Sequence, residues 1–263
     1  MHSLPQEHYQ LVAEQLKDVT INCLFARSVV EQHVSGKVLV DRYPNPRVFH
    51  IVHPYGMSLL LGDVGDEQVY NSISDYLLGL NPLKTSAEML QVFPLTLEDI
   101  VDEMLLEKPA FDVMKHQRVN FKFNPQRYEQ FRKTVSLADY ELCVMDAEIF
   151  DGTDGTVVPK RFWNNAREFM ERGKGFSLLQ NDQPVASAFS AFVHENMLEM
   201  GMETHAKMRN RGFAKIVCTR LIDYCLANSL EPVWACKSGN KKSYNLAGKL
   251  GFESHQLLPY YQV

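Results

Sequence analysis

Residues 198–252 constrain this chain more than any other stretch. They read as an apolar strand over 198–204, a short turn, and then Arg209-Asn210-Arg211-Gly212-Phe213-Ala214, which opens an amphipathic helix extending to about Asn228. A second strand over 232–236 leads to Asn240, a short helix and Gly251-Phe252. A strand that feeds a small-residue loop at a helix N-terminus builds an anion site. The first N–H groups of a helix have no partner within it, and the aligned peptide dipoles favour negative charge there. Arg209 and Arg211 flank the loop and sharpen that preference.

At 263 residues the chain has room for one large domain or two small ones, each with a real core. The formal net charge is −5 and the basic residues are dispersed, which speaks against general affinity for nucleic acid or an anionic membrane. No apolar run is long enough to span a bilayer, and residues 1–7 lack the basic-then-apolar order of a secretory signal. Cys23, Cys143, Cys218, Cys225 and Cys236 never stand at CxxC spacing, so they read as buried reduced thiols rather than a zinc ribbon or redox pair. A cytoplasmic setting is the expectation. Asp151 and Asp154 fall short of a calcium loop, lacking its ligand order and distal glutamate; 151–155 reads as a turn, and no metal site is expected.

Along the chain, Ser3 and Gln6 fit a capping box before a first helix with Tyr9, Val12, Ala13 and Leu16 inward. A second helix is expected over 20–33. Strands follow over 37–40, 47–52 and 57–61, then a helix over 67–78, a strand over 89–93, a helix capped by Thr96 reaching about Glu107, and a strand over 119–123. Asn124-Pro125 starts the next helix, since proline at the first helical position has no N–H to lose. Beyond it come a strand over 140–145, a helix over 159–172, and a hairpin of strands 176–179 and 185–193 around residues 181–183. The stretch that opened this section follows.

Set side by side, the two halves share an order of elements: three strands, helix, strand, helix, strand. Sequence identity between them is negligible, so the match is of order only, and α/β folds also share such strings by chance. The order suggests a tandem duplication whose halves meet near residue 124, with 1–123 degenerate and 124–263 active. Where the second half has residues 209–214, the first has Asp63 and Asp66, which would repel a phosphate.

Residues 209–214 fit the (Gln/Arg)-x-x-Gly-x-(Gly/Ala) signature, and with the strand before, the helix after, Asn240 and the ending Leu250-Gly251-Phe252, the region 140–263 resembles the GNAT superfamily of acyl-CoA-dependent N-acetyltransferases. It is most similar to the two-half subgroup typified by the acetyltransferase that confers resistance to zwittermicin A, which shares a Glu-x-x-x-Glu-Thr strand and a Leu-Ala-x-x-Leu-Gly-(Phe/Tyr) ending. The resemblance implies an α/β fold with a mixed sheet, in two tandem GNAT-like halves, the C-terminal one carrying an acetyl-CoA site. In that family the pyrophosphate would lie on the amides of Asn210, Arg211, Gly212, Phe213 and Ala214, with Arg209 and Arg211 neutralising charge. The pantetheine arm would run along the backbone of Met202 and Thr204, with Asn240 and Ser243 on its other side. Asn240 and Ser243 also suit plain helix capping.

The resemblance also places the base on the strand that carries Glu199 and Glu203, which share one face; either is a candidate base or an anchor for a cationic substrate, and either also fits a solvated strand face. The family's acid tyrosine would stand at Ala247, so Tyr244, one helical turn earlier, is the remaining candidate acid. His194 and His205 flank the same strand as further candidate bases. With no cysteine placed for an acyl-enzyme, the expected reaction is direct attack of a small-molecule amine on acetyl-CoA in a ternary complex. Two alternatives stand beside it: a non-catalytic acyl-CoA-binding sensor or scaffold on the same frame, and a nucleotide-binding α/β domain, which lacks a Walker lysine. No nucleic-acid or membrane partner is expected. The first half could bind the acceptor, close the cleft or form a homodimer.

Overall fold

The computed structural model describes residues 1–107, 111–137, 140–181 and 183–263. In chain order the elements are β1 (His2–Ser3), a 3-10 turn (Gln6–His8), α1 (Gln10–Leu16), α2 (Leu24–Val30), β2 (Lys37–Val40), β3 (Val48–Val52), β4 (Met57–Gly62), α3 (Glu67–Leu77), β5 (Met89–Phe93), α4 (Leu97–Leu106) and β6 (Met114–Phe123). There follow α5 (Pro125–Arg132), β7 (Leu142–Val144), α6 (Ala147–Gly152), a 3-10 turn (Pro159–Arg161), α7 (Ala166–Arg172), β8 (Gly175–Gln180), β9 (Gln183–His194) and β10 (Met197–Thr204). A third 3-10 turn (Ala206–Met208), α8 (Phe213–Ala227), β11 (Glu231–Lys237), α9 (Lys241–Lys249) and β12 (Phe252–Gln262) complete the order. The expected α/β class with a mixed sheet is what the chain adopts, including the repeated three-strand, helix, strand, helix, strand order.

Two compact units result: Met1–Arg118 with Leu257–Val263, and Val119–Gln256. In the first, β1, β2, β3 and β4 pair antiparallel in succession, β5 runs parallel to β4, and the end of β12 pairs with β5 through Tyr261↔Leu90. Apolar side chains at alternate strand positions (Leu39, Val48, Leu60, Leu90, Val92) bury against Ile73, Tyr76, Val101 and Met104 of the two following helices. Each such large side chain removed from water contributes on the order of 2 kcal/mol.

In the second unit the order is β6-β11-β10-β9-β8-β7. α8 lays Val217, Leu221 and Cys225, one above another at four-residue spacing, onto Ala186, Ala188, Leu198 and Met200 of the sheet. α5 starts as the sequence implied, with the Asn124 side chain accepting from Arg127 N at 3.1 Å and proline at the first position. Its Tyr128 is buried, and the hydroxyl donates to Asp223 Oδ1 at 2.7 Å and to Thr219 O at 3.0 Å of α8. Arg132 closes the same carboxylate at 2.9 Å.

Several local expectations are corrected. Ser3 caps no helix: it lies in β1, opposite Leu39, and Pro5 precedes the first 3-10 turn. Thr96 has helical dihedrals and makes no side-chain cap. The expected turn at 151–155 begins inside α6, which Asp146 caps through Ile149 N. The single helix over 159–172 is instead a 3-10 turn and α7, because Asn165 caps a fresh start through Glu168 N at 2.9 Å. In the hairpin around 181–183, Asp182 lies outside the described residues, and Asn181 is left-handed at φ +52°. Among the described residues no cysteine is joined in a disulfide; four of the five are buried and Cys143 is half-buried. Among the described residues no helix is long and apolar enough to cross a membrane.

Candidate active site

β10 pairs antiparallel with β9 along its whole length, from Met197↔His194 to Thr204↔Ala186. Its parallel ladder with β11 holds only three rungs and ends at Glu199↔Val233, although β10 runs on to Thr204 and β11 to Lys237. A register shift between Glu199 and Met200, opposite the skipped Ala191 of β9, falls at the same place. The extra residue lies on β9 and the β9–β10 pairing resumes beyond it, while the β10–β11 rungs end at Glu199, so the sheet opens into a fork just past that residue. The equivalent pair in the first unit has no fork: β4 and β5 stay in register over five rungs, from Met57↔Met89 to Leu61↔Phe93.

The fork leads into a cavity of about 660 Å³. One wall is β10 from Met202 to Thr204, a second is the loop and first turn from Arg209 to Lys215, and a third is the face of α9 carrying Lys242 and Ser243. Gly212 sits at the start of α8 with φ +83°, a left-handed conformation that side chains resist, and it offers no side-chain cap. The first turn of α8 contains no acidic residue either. Lys215 N turns back to Gly212 O at 3.2 Å, and the amides of Phe213 and Ala214 ahead of it have no carbonyl one helical turn earlier to accept from them, at residues that line the cavity. The matching helix of the first unit is different. The Asp66 carboxylate accepts from Gln68 N at 2.9 Å and Val69 N at 3.3 Å, so α3 already holds an anion of its own at its N-terminus. Asp63 beside it pairs with Arg47 and accepts from Gly65 N.

The cofactor-side residues expected from sequence gather at this cavity with one exception. Met202, Thr204, Arg209, Asn210, Gly212, Phe213, Ala214, Asn240 and Ser243 all line it, whereas the exposed Arg211 does not. Arg209 is held in place: Nε donates to Thr204 O at 3.1 Å and Nη2 to Glu203 Oε1 at 3.2 Å. Thr204 is buried, and its Oγ1 has no hydrogen-bond partner among the described residues. Asn240 Oδ1 caps α9 through Ser243 N at 3.1 Å, and Ser243 Oγ accepts from Trp234 Nε1 at 3.2 Å, so both residues also serve the helix that carries them.

The residues singled out for chemistry are spread more widely. Glu199 is buried opposite Phe192, on the last rung before the fork. Glu203 lines the cavity, but its carboxylate is occupied by backbone and guanidinium donors. Tyr244 is not among the lining residues; its ring stands edge-on to Phe121, with centroids 5.3 Å apart. Ala247 is fully buried in the core. His205 is exposed and lines a separate cavity of about 420 Å³, while His194 is half-buried at the far end of β9.

Sequence reasoning missed Lys215, Lys242 and Lys249, which add three positive charges to the lining. Lys242 and Lys249 are seven residues apart, two helical turns, so helical periodicity with Asn245 between them was the available signal. Lys242 stands in the first turn of α9, where a cation opposes the helix dipole. A cation kept there points to an anion nearby. Thr156 and Val157 were also missed, because they come from a loop some 45 positions upstream of the strand they lean on.

Comparison with known proteins says which class of protein this forked mixed sheet with an open helix N-terminus belongs to. The GNAT acetyltransferase family matches residues 14–261. "Uncharacterized N-acetyltransferase YdfB" of Bacillus subtilis (strain 168) is 28% identical over 233 residues, covering 88% of this chain and 86% of that one. Among solved structures, a GCN5-related N-acetyltransferase-like protein from Streptococcus suis superposes with a TM-score of 0.71 at 18% identity, covering 97% of this chain and 98% of that one. A tandem GNAT protein from the clavulanic acid biosynthesis pathway superposes with a TM-score of 0.64 at 10% identity, covering 100% and 97%. The chain belongs to the GNAT acetyltransferase family. It is an acyltransferase of the N-acetyltransferase kind, built with two GNAT-like halves.

Proposed function

We propose that this protein acetylates an amine, most simply of a small molecule, with acetyl-CoA as co-substrate held by the C-terminal half (124–263), while the half before it (1–123) is degenerate. The observation that carries the reading is the contrast between two helix N-termini. That of α8 is uncapped and opens on the forked cavity, whereas that of α3 is filled by Asp66 beside a sheet that does not fork. Backbone amides over 210–214 would cradle the pyrophosphate, with Arg209, Lys215 and Lys242 neutralising it. The buried Thr204 hydroxyl, unpartnered among the described residues, and the free strand edge past Glu199 suit an amide-bearing arm lying in the fork. The two-half architecture supports placing the chain near the subgroup that acetylates zwittermicin A.

Acetyl-CoA supplies an activated acyl group, and a thiolate leaves without needing a dedicated acid; Tyr244, turned to Phe121, is not required. Glu199, buried on the last rung before the fork, is the residue we assign to collect the amine proton, directly or through water. No cysteine lines the cavity among the described residues, which favours direct transfer in a ternary complex over an acyl-enzyme. Five cysteines outside any disulfide support a cytoplasmic setting, and a homodimer would be compatible with it. Isothermal titration of the intact protein with CoA tests the reading. Binding in the micromolar range is expected, and absence of binding by folded protein would overturn it.

A further inference from the structure

Glu203 sends its side chain off β10 and meets four hydrogen-bond donors. Oε2 accepts from Thr156 N at 2.8 Å and Val157 N at 3.1 Å. Oε1 accepts from Thr204 N at 3.1 Å and Arg209 Nη2 at 3.2 Å. An ionised carboxylate has about four acceptor positions, and here all are used. The side chain is only 11% exposed, although Gly155 and Thr156 above it are on the surface. Gly155 has φ +147°, and a Cβ there would come within 2.5 Å of Glu203 Cγ, so the loop crosses directly over the carboxylate. On one side of this crossing, Thr156 and Val157 form a wall of the 660 Å³ cavity; on the other, Thr153 and Asp154 line the 420 Å³ cavity. Glu203 and Met208 face both.

Resting on the acetyl-CoA reading of that cavity, we infer that Glu203 is a positioning residue and not the proton acceptor: it ties the 155–157 loop and the Arg209 guanidinium to the end of β10 and so fixes two walls of the cofactor site. A base must offer a lone pair to the amine proton, and each lone pair of Glu203 is already committed to a fixed N–H. A carboxylate shared by two backbone amides, its own neighbour's amide and a guanidinium does something else well. It converts a surface loop into a rigid wall and holds Arg209 pointed at the helix start, since charge-assisted hydrogen bonds are the strong ones.

Two variants and three readouts test this. Glu203→Gln keeps the shape but turns an NH2 group towards two of the donors. Gly155→Ala leaves the carboxylate intact and displaces the loop. Both are expected to lower hydrogen-exchange protection of the Thr156 and Val157 amides in the free protein, roughly tenfold or more. Both should weaken CoA binding by roughly tenfold in calorimetry and raise the KM for acetyl-CoA in step. At saturating acetyl-CoA, kcat should stay within about threefold of wild type, with an unchanged pH–rate profile. The inference is overturned if Glu203→Gln lowers kcat more than about a hundredfold with CoA affinity intact and abolishes the acidic limb of the profile, while Gly155→Ala behaves as wild type. It is equally overturned if amide protection over 156–157 is unmoved in Glu203→Gln. Absence of CoA binding by the wild-type protein would instead sink the function proposed above together with the cofactor half of this inference, and wild-type titration comes first for that reason.

Discussion

Gly212 offers a way to separate charge from backbone strain at the anion site. Gly212→Asp would place at α8 the kind of carboxylate that Asp66 supplies to α3. Gly212→Asn has nearly the same shape without the charge. Both would pay for φ +83°, a strain of about 1–2 kcal/mol that Asn and Asp tolerate better than most residues. Only the aspartate adds repulsion. A carboxylate built there would lie about 5 Å from a phosphate seated on the helix amides, and at an effective dielectric of about 20 that costs roughly 3 kcal/mol. The new side chain would also begin 3.1 Å from Lys215 Cε, so the aspartate would draw off a cation that otherwise serves the site. The expected outcome is that Gly212→Asp binds CoA roughly a hundredfold more weakly than Gly212→Asn, while the two melt within about 1 kcal/mol of each other. Titration calorimetry at two salt concentrations checks it, and the gap should narrow at high salt because part of the repulsion is screened. Equal CoA affinity for the two variants would refute the assignment of α8 as the anion site.

Other predictions follow from the same geometry. Glu199→Gln should reduce kcat by about a hundredfold or more with CoA affinity unchanged, as loss of a base does; comparable turnover would remove Glu199 from the chemistry. Tyr128→Phe should destabilise the protein by about 1–2 kcal/mol in urea melts without altering CoA binding, because its hydroxyl joins α5 to Asp223 and Thr219. Acid sensitivity should trace in part to His53, whose burial drives its pKa from 6.5 down to about 3 and whose Nδ1 accepts from Tyr55 N at 3.0 Å. The unfolded chain then takes up the proton first, so stability is full above pH 6.5 and falls progressively as the pH drops towards 3. The loss at pH 5 is about 2 kcal/mol, and His53→Asn should flatten that slope in melts compared at pH 7 and pH 5.

Much of the fold was legible because strand and helix periodicities are strong where a core lies on one side. β2 and β5 fall on the expected residues, and Asn124-Pro125 marks the start of α5. The loop over 209–214 was legible as backbone too, since a glycine at a strand-to-helix junction answers a local requirement that Gly212 meets at φ +83°. Misreadings came where a local signal had a competitor. Ser3 was drawn into a strand by pairing with Leu39, and the regular spacing over 159–172 concealed the fresh cap at Asn165. The two strand glutamates looked equivalent by alternation. What separates them is tertiary: one sits at the apex of the fork, the other beneath a loop that a sequence pattern has no means of bringing there.

The membership of the two units has a consequence for how the chain is made. Residues 119–123, the end of β6, belong to the second unit, and residues 257–263, which include the end of β12, belong to the first. During synthesis the first unit must therefore wait, with the edge of β5 unpaired, until Tyr261 and Gln262 have emerged to cover Leu90 and Met89. An uncovered strand edge is a template for wrong partners. A cut at residue 124 would separate residues 257–263 from the first unit they belong to. A nascent chain stalled before Tyr261 would leave Leu90 and Met89 without their β12 partners.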